Sequence, residues 1–550
     1  MYPLDFHSRR SPVFATRCLV GASQPLAVAA GLEILAQGGN AADAAVATAA
    51  ALNVTEPAST GLGGDCFALF YSAETGQVSA LNGSGRAPAA LNLERARQAV
   101  IDGQLPPNHP YTITVPGACA GWCDLIERYG RLSMTRILAP AIRLAEAGFP
   151  VAPLTALAWQ SALDESFNMA FGGKELTIQG RSPRPGELFR NPGLARSLQS
   201  VAEGGKRAFY EGAIAEAIAQ TVQAAGGCLE LTDLASHHST WETPISTTYR
   251  GVRIWECPPN GPGLTALLAL NILEGFDLAG MDALSAERIH LEIEAMRLAF
   301  ADTRWYVADP AFNPLPVQEL LSKDYAASRR ALIDPERATL GQRHGSPFTS
   351  SDTVYLSVVD GQGNACSFIN SIYMRFGSGI VPVGLGFALQ NRGLNFSLEP
   401  GHPNVLAPGK RPYHTIIPAL ATQPRLNSSA SSQAGEDLFA CFGVVGVFMQ
   451  PQGHMQVVTA LVDDGLDPQS ALDRPRFCLQ DGEVDGGVSL EEGIPLQAMS
   501  ALAHMGHPVT PVSGMRRSIF GRGQVILRDA QTGVLCGGSD PRADGCVMTY

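Results

Sequence analysis

Residues 354–371 hold two β-favouring runs, Val354-Tyr-Leu-Ser-Val-Val359 and Ala365-Cys-Ser-Phe-Ile-Asn-Ser371, separated by Asp360-Gly-Gln-Gly-Asn364. Branched and aromatic residues on either side of an Asp/Gly/Asn turn are the pattern of an antiparallel hairpin. Folding the run symmetrically about Gln362 sets Val359 against Ala365 and, at the open end, Thr353 against Ser371. Directly opposed residues of a hairpin bring their side chains within contact distance. Just upstream, residues 332–352 are polar, rich in Gly, Pro and Ser, and lack periodicity. They read as an exposed linker that stops at the first strand.

Two hydroxyls at the point where an exposed linker meets a sheet suit an N-terminal nucleophile. A hydroxyl attacks poorly without a base, and a threonine at a chain terminus carries that base as its own α-amine. The amine has a pKa of roughly 8, so a fair fraction is neutral near physiological pH. Obtaining it requires scission of the Asp352–Thr353 bond, which an exposed linker makes accessible. An ordinary strand-start threonine is the alternative that pattern alone leaves open.

The rest of the chain sets the frame. Its 550 residues allow three or four domains or one large layered α/β unit. Apolar residues (45%) suffice for a large core, and 58 Gly with 38 Pro imply many turns rather than helical rods. The net charge of −12 carries no basic footprint for nucleic acid. Residues 20–55 read as two helices joined at Gly38-Gly39, with Asn40 and Asp43 as cap and first-turn acid of the second. That second helix is apolar all round, as a helix buried among neighbours is. Thr60-Gly-Leu-Gly-Gly-Asp65 is a tight turn leading into a strand, Cys66 to Tyr71. Leu264 to Phe300 reads as a helical region, with Ile289, Ile293, Met296 and Phe300 on one face and Ser285 as a cap. Asn427 to Glu436 is a second polar loop, and there is no internal repeat.

The first ten residues lack the apolar core of a secretory signal, and Ala41 to Val54 is too short to span a bilayer. Eleven scattered cysteines without a CxxC fit reduced thiols, so a cytoplasmic location is expected and the sequons at Asn53, Asn395 and Asn427 would go unused. The adjacent His237 and His238 have no third ligand at useful spacing, so no metal is expected. His402 and His454 read as satisfied core or loop histidines, and Cys366 as core packing. Neither P-loop, GxGxxG nor GxSxG is present, which argues against nucleotide binding and the α/β-hydrolase elbow.

Ordered motifs run through nearly the whole chain: Gly38-Gly-Asn-Ala-Ala-Asp-Ala-Ala45, Glu56-Pro57, Gly61-Leu-Gly-Gly64, Val115-Pro-Gly117 and Pro258-Pro-Asn-Gly-Pro-Gly263. They continue as Leu270-Asn-Ile-Leu-Glu274, Ala301-Asp302, Thr353 to Asn364, Phe376-Gly-Ser-Gly379, Asn395-Phe396, Lys410-Arg-Pro412 and Gln450-Pro-Gln-Gly-His454. On these the chain resembles the γ-glutamyltranspeptidase family of N-terminal-nucleophile hydrolases. The resemblance implies a four-layer αββα sandwich, an α/β (α+β) fold. It also implies a proenzyme cut into a large fragment, 1–352, and a small one, 353–550, which stay associated as one structural unit. A homodimer of the processed pair is compatible with it, and no cofactor is required.

By the same resemblance, Thr353 is the nucleophile freed by self-cleavage and Ser371 stands where a second threonine bonds to it. Gly446 and Val447 occupy the glycine pair whose N–H groups form the oxyanion hole. The substrate positions depart from the family. Ser84 stands in the column of the carboxylate-binding arginine, with Arg86 two residues later. Asn395 replaces the ammonium-binding aspartate, His414-Thr415 replaces a serine pair, Tyr373 an asparagine and Arg392 a glutamine. Tyr413-His-Thr415 and Gln450 to His454 look more like the acylase and oxamate amidohydrolase branch. The expected partner is therefore a small amide with an anionic acyl group, bound by Arg86, Arg392 or His414. A genuine γ-glutamyl enzyme and an unprocessed, non-catalytic member are the alternatives.

Overall fold

The computed structural model describes residues 10–165, 171–340, 353–425, 435–482 and 486–550. Asp352, the end of the linker (341–352), residues 1–9 and most of the 427–436 loop, Asn427 included, lie outside the described residues.

The hairpin forms as its sequence predicts. Val354–Val359 pairs antiparallel with Ala365–Ser371, with Val354 opposite Asn370 and Val359 opposite Ala365. Every residue of both strands is buried, because the hairpin sits at the centre of a seven-stranded sheet. Its outer edges are taken by Leu19–Ala22 on one side and Asp65–Ser72 on the other. A second seven-stranded antiparallel sheet contains Ala419–Pro424, Glu436–Val445 and Arg522–Arg528.

Side chains alternate across a strand, and the core divides accordingly. Val354, Leu356 and Val358 point into a cluster with the helices Pro25–Ala36, Ala41–Thr55 and Ala118–Tyr129. Tyr355 and Val359 point the other way, into a cluster with Ile416, Leu420, Cys441 and Ile526 of the facing sheet region. The second sheet is backed in turn by Gly263–Leu273, Ala286–Tyr306 and Met449–Val462. The result is a mixed α/β sandwich of two stacked sheets between helical layers. Thr353 and Ser371 share the odd-numbered face of the hairpin, so they look into the space between the sheets.

The helix Ala41–Thr55 has no exposed residue, and its N-terminus carries a full capping box. Asn40 Oδ1 accepts from the N–H groups of Ala42 and Asp43 at 3.0 and 3.2 Å, while Asp43 accepts from the Asn40 N–H at 2.9 Å. Such a box satisfies donors that water cannot reach here. Two predicted helical stretches are shorter than expected. Leu19–Ala22 is a strand, drawn off by pairing with the hairpin edge, and the first helix starts at Pro25. The 264–300 region divides into Gly263–Leu273 and Ala286–Tyr306, the second capped by Ser285 as predicted. Asp277 bonds the Gly280 N–H between them, and such local side-chain turns compete with a continuous helix. Among the described residues no helix is long and apolar enough to cross a membrane.

Candidate active site

Thr353 is 1% exposed at the start of its strand, and its Oγ1 lies 3.2 Å from Ser371 Oγ. The Ser371 oxygen also receives the Tyr373 N–H at 2.9 Å and Arg392 Nη2 at 3.1 Å. A hydroxyl has one proton and two lone pairs. Two donors thus already point at the Ser371 oxygen beside Thr353. Gly64 permits this packing, since a Cβ there would collide with the Ser371 carbonyl oxygen.

Arg392 comes from a short 3₁₀ turn, Arg392–Asn395, and is fully buried. Its Nη1 donates to Thr415 Oγ1 at 2.6 Å, and its guanidinium carbon lies 4.5 Å from the centre of the Tyr373 ring. Its Nε has no hydrogen-bond partner, and among the described residues no carboxylate lies within ion-pair distance of it. Burial pulls the guanidinium down to about 10, with the charge of Asp65 pulling back. It remains a cation at neutral pH.

Asp65 stands opposite Ser371 across the neighbouring strand pair. Its Oδ1 accepts from the N–H groups of Gly85 and Gly117 at 2.9 and 3.1 Å and from Gln390 Nε2 at 2.9 Å. Its Oδ2 faces His414 Nε2 at 3.1 Å. His414 Nδ1 accepts from the N–H groups of Thr415 and Ile416, so the ring is neutral with its proton on Nε2. Burial, reinforced by Arg392 and Arg411, holds that imidazole well below its ordinary range. His414 thus spends both nitrogens on the protein. Burial pushes the Asp65 carboxyl up to about 6, against the pull of Arg392 and the donated hydrogen bonds. Protonating Asp65 weakens these hydrogen bonds, above all that of His414 to Oδ2, and removes the negative charge that Arg392 feels. With Thr353 acting through a neutral α-amine, log kcat/KM should rise with pH at a slope near two below about 6. Above that it should rise at a slope near one up to the amine pKa. A slope of one throughout a measured pH–rate profile would uncouple Asp65 from the reaction.

Gly446 and Val447 form the turn between Glu436–Val445 and the helix Met449–Val462. Val445 pairs with Arg522, whose Nη2 lies 3.4 Å from the Thr353 carbonyl oxygen, so the turn arrives at the same end of the sandwich. Gly446 has φ +132° and Val447 φ +53°. A β-branched residue in the left-handed region is strained, and such strain persists only where the surroundings impose it. Among the described residues neither N–H donates a hydrogen bond, as the oxyanion role expected of them would require. Val447→Pro removes one of these donors and also cannot adopt φ +53°, proline being held near about −65°, so kcat in a steady-state assay is expected to fall by at least about 10²–10³. Val447→Gly, which keeps the N–H and relieves the torsion, should stay within about threefold of the parent.

The positions singled out from sequence divide in two. Ser371 touches Thr353, Tyr373 and Arg392 bond to Ser371, Thr415 bonds to Arg392, and His414 faces Asp65 opposite Ser371. Arg86 does not join them; its Nη1 donates to the His238 carbonyl at 3.2 Å, and it lies beside Asp309 and Glu242. Ser84 is buried with its hydroxyl on Asn82 Oδ1 at 2.6 Å. Asn395 closes the 3₁₀ turn that starts with Arg392, and among the described residues neither of its amide atoms has a hydrogen-bond partner. Sequence reading passed over Asp65 except as the end of a glycine turn; its place beside Gly63-Gly64 was the one available signal. It also passed over a buried set, His290, Glu294 and His507, whose ligand atoms lie within 4.8 Å of one another. There His290 Nδ1 is 2.8 Å from His507 Nε2 and His290 Nε2 is 2.7 Å from the Asp334 carbonyl oxygen, while Arg297 stands 3.5 Å from Glu294.

A family model described as gamma-glutamyltranspeptidase matches residues 27–550. The glutathione hydrolase-like YwrD proenzyme of Bacillus subtilis (strain 168) is 36% identical, over 98% of this chain and 99% of its own length. The oxamate amidohydrolase proenzyme of Klebsiella pneumoniae is 34% identical, again over 98% and 99%. The crystal structure of cephalosporin acylase from Bacillus halodurans superposes with a TM-score of 0.90 at 45% identity, covering 100% of this chain and 98% of that one.

Proposed function

The chain belongs to the γ-glutamyltranspeptidase family, and on that premise we propose that it is a self-processing amidohydrolase for amides with an anionic acyl group. The observation that carries the reading is Arg392: a fully buried cation, one hydroxyl removed from Thr353, whose close partners among the described residues are hydroxyls and an aromatic face. Burying a charge without an ion pair is costly unless a ligand supplies the counter-charge. A carboxylate on the acyl group is such a counter-charge.

Processing starts when Thr353 Oγ attacks the Asp352 carbonyl. The C–N bond breaks as nitrogen takes the proton, which frees the α-amine, and water then hydrolyses the resulting ester to release the Thr353 hydroxyl and the Asp352 carboxylate. In turnover the amine takes the Oγ proton as Oγ attacks the substrate amide, and the N–H groups of Gly446 and Val447 receive the oxyanion. The C–N bond then breaks, the proton passes to the departing amine, and water releases the acid from the Thr353 ester. The cut should not separate the fragments, because the hairpin is wedged between Leu19–Ala22 and Asp65–Ser72. Eleven thiols read as reduced fit a cytoplasmic site of action.

Genuine γ-glutamyl transfer is the second reading. It is disfavoured by Arg392 and the neutral Asn395, because an α-ammonium placed beside a buried guanidinium would be repelled. Side-by-side assay of oxamate, glutaryl-p-nitroanilide and γ-glutamyl-p-nitroanilide, with a denaturing gel for fragments 1–352 and 353–550, tests the proposal. Dominant γ-glutamyl turnover would reverse it, and a persistent full-length band without turnover would favour a non-catalytic member.

A further inference from the structure

The helix Ala286–Tyr306, which backs the second sheet, carries His290 and Glu294 one turn apart, so both side chains leave the same face. His507 meets them from the loop after the helix Leu496–His504. The three are 0%, 1% and 3% exposed, and one ligand atom from each lies within 4.8 Å of the others. The amide chemistry uses none of them.

Both helix residues have their outer atom tied to the backbone. His290 Nε2 lies 2.7 Å from the Asp334 carbonyl oxygen, which can only accept, so that nitrogen carries a proton and Nδ1 is the one with a lone pair. Glu294 Oε2 accepts from the Thr339 N–H at 3.0 Å, while Oε1 has no hydrogen-bond partner. An imidazole N–H resting on a carbonyl and a carboxylate held by its far oxygen are the outer supports that metal-binding side chains carry. His290 Nδ1 faces His507 Nε2 at 2.8 Å. His507 Nδ1 has no partner, so nothing on that side fixes which nitrogen bears the proton. Moving it to Nδ1 exposes the Nε2 lone pair and gives up only the bond between the two rings. The competitor for an incoming cation is Arg297, whose Nε stands 3.5 Å from Glu294 Oε1 and whose Nη2 donates to the Gly486 carbonyl at 3.2 Å.

We propose that His290 Nδ1, His507 Nε2 and Glu294 Oε1 bind one divalent transition-metal ion of the zinc type. Two imidazoles with one carboxylate suit such an ion better than magnesium or calcium, which take oxygen ligands. Nitrogens bound at about 2.0–2.1 Å in a tetrahedral array stand about 3.3 Å apart, so the two rings part by about half an ångström on binding. Water takes the fourth position. His290 and Glu294 precede the Asp352–Thr353 bond and His507 follows it, so the ion joins the two fragments. Through the Asp334 and Thr339 contacts it also braces the segment that leads into the linker.

Processed protein stripped with a chelator and titrated with Co²⁺ tests the assignment. One ion per chain should bind with visible d–d absorption, Zn²⁺ should abolish the bands, and Mg²⁺ should leave them unchanged. The eleven thiols are the rival ligands, and thiolate binding would announce itself as near-ultraviolet charge transfer. Glu294→Gln keeps the size of the side chain and an acceptor for Thr339. It and His507→Gln should each weaken Co²⁺ binding by about a hundredfold or more, with circular dichroism confirming that each variant folds. If His507→Gln does not fold, Glu294→Gln decides. An absence of saturable bands would reduce the cluster to two histidines sharing a proton and overturn the inference. Charge transfer in place of d–d bands, or affinity unchanged in the folded variants, would overturn it as well.

Discussion

Thr353→Ala is expected to remain a single full-length chain on a denaturing gel after prolonged incubation, and to lose amide turnover by on the order of 10⁶. One oxygen is asked to do both jobs. It attacks the Asp352 carbonyl in processing and the substrate carbonyl in turnover, and alanine has nothing to put in its place. The substitution itself should be well tolerated, since the side chain is small and buried and alanine fits within its volume. Thr353→Ser keeps the hydroxyl and the α-amine, and should therefore process and turn over at a measurable rate. That contrast separates loss of the nucleophile from loss of the fold. Scission and turnover that both survive in Thr353→Ala would remove the N-terminal-nucleophile reading altogether.

Arg392→Gln is expected to lower kcat/KM for oxamate and glutaryl amides by on the order of 10²–10³, while an uncharged acyl amide loses no more than about tenfold. A charge-assisted contact in a buried site contributes a few kcal/mol more than a neutral one. Glutamine ends two bonds short of the Nη atoms that reach Thr415 Oγ1 and Ser371 Oγ, but the Thr353–Ser371 contact and the Tyr373 N–H to Ser371 remain, so the hydroxyl pair should survive. What it removes is the counter-charge for the acyl carboxylate and the through-space partner of Asp65. Without that partner the Asp65 carboxyl should titrate higher than about 6, moving the steep acid limb of the pH–rate profile toward neutrality. Equal losses on charged and uncharged acyl groups would show that Arg392 holds the site's shape rather than its ligand.

How much could be read in advance follows the range of the forces involved. The hairpin, its register, the Thr353–Ser371 contact, the Asn40 capping box and the all-buried helix Ala41–Thr55 are set by residues close together along the chain. Alternation, turn chemistry and capping act over a few positions, and the symmetry of an 18-residue hairpin carries them to its open end. Leu19–Ala22 went the other way, because a short apolar segment takes its conformation from the edge it pairs with. Arg86 and Arg392 look equally eligible as one-dimensional text. Packing separates them: the 3₁₀ turn at 392–395 delivers one guanidinium to Ser371, while the other ends at the His238 carbonyl. Asp65 becomes a site residue only when its strand lies beside the hairpin, and Gly446–Val447 only when the second sheet stacks on the first. Those placements depend on pairings between segments hundreds of residues apart. They are chosen by which burial the whole chain can satisfy at once, and no local pattern records that outcome.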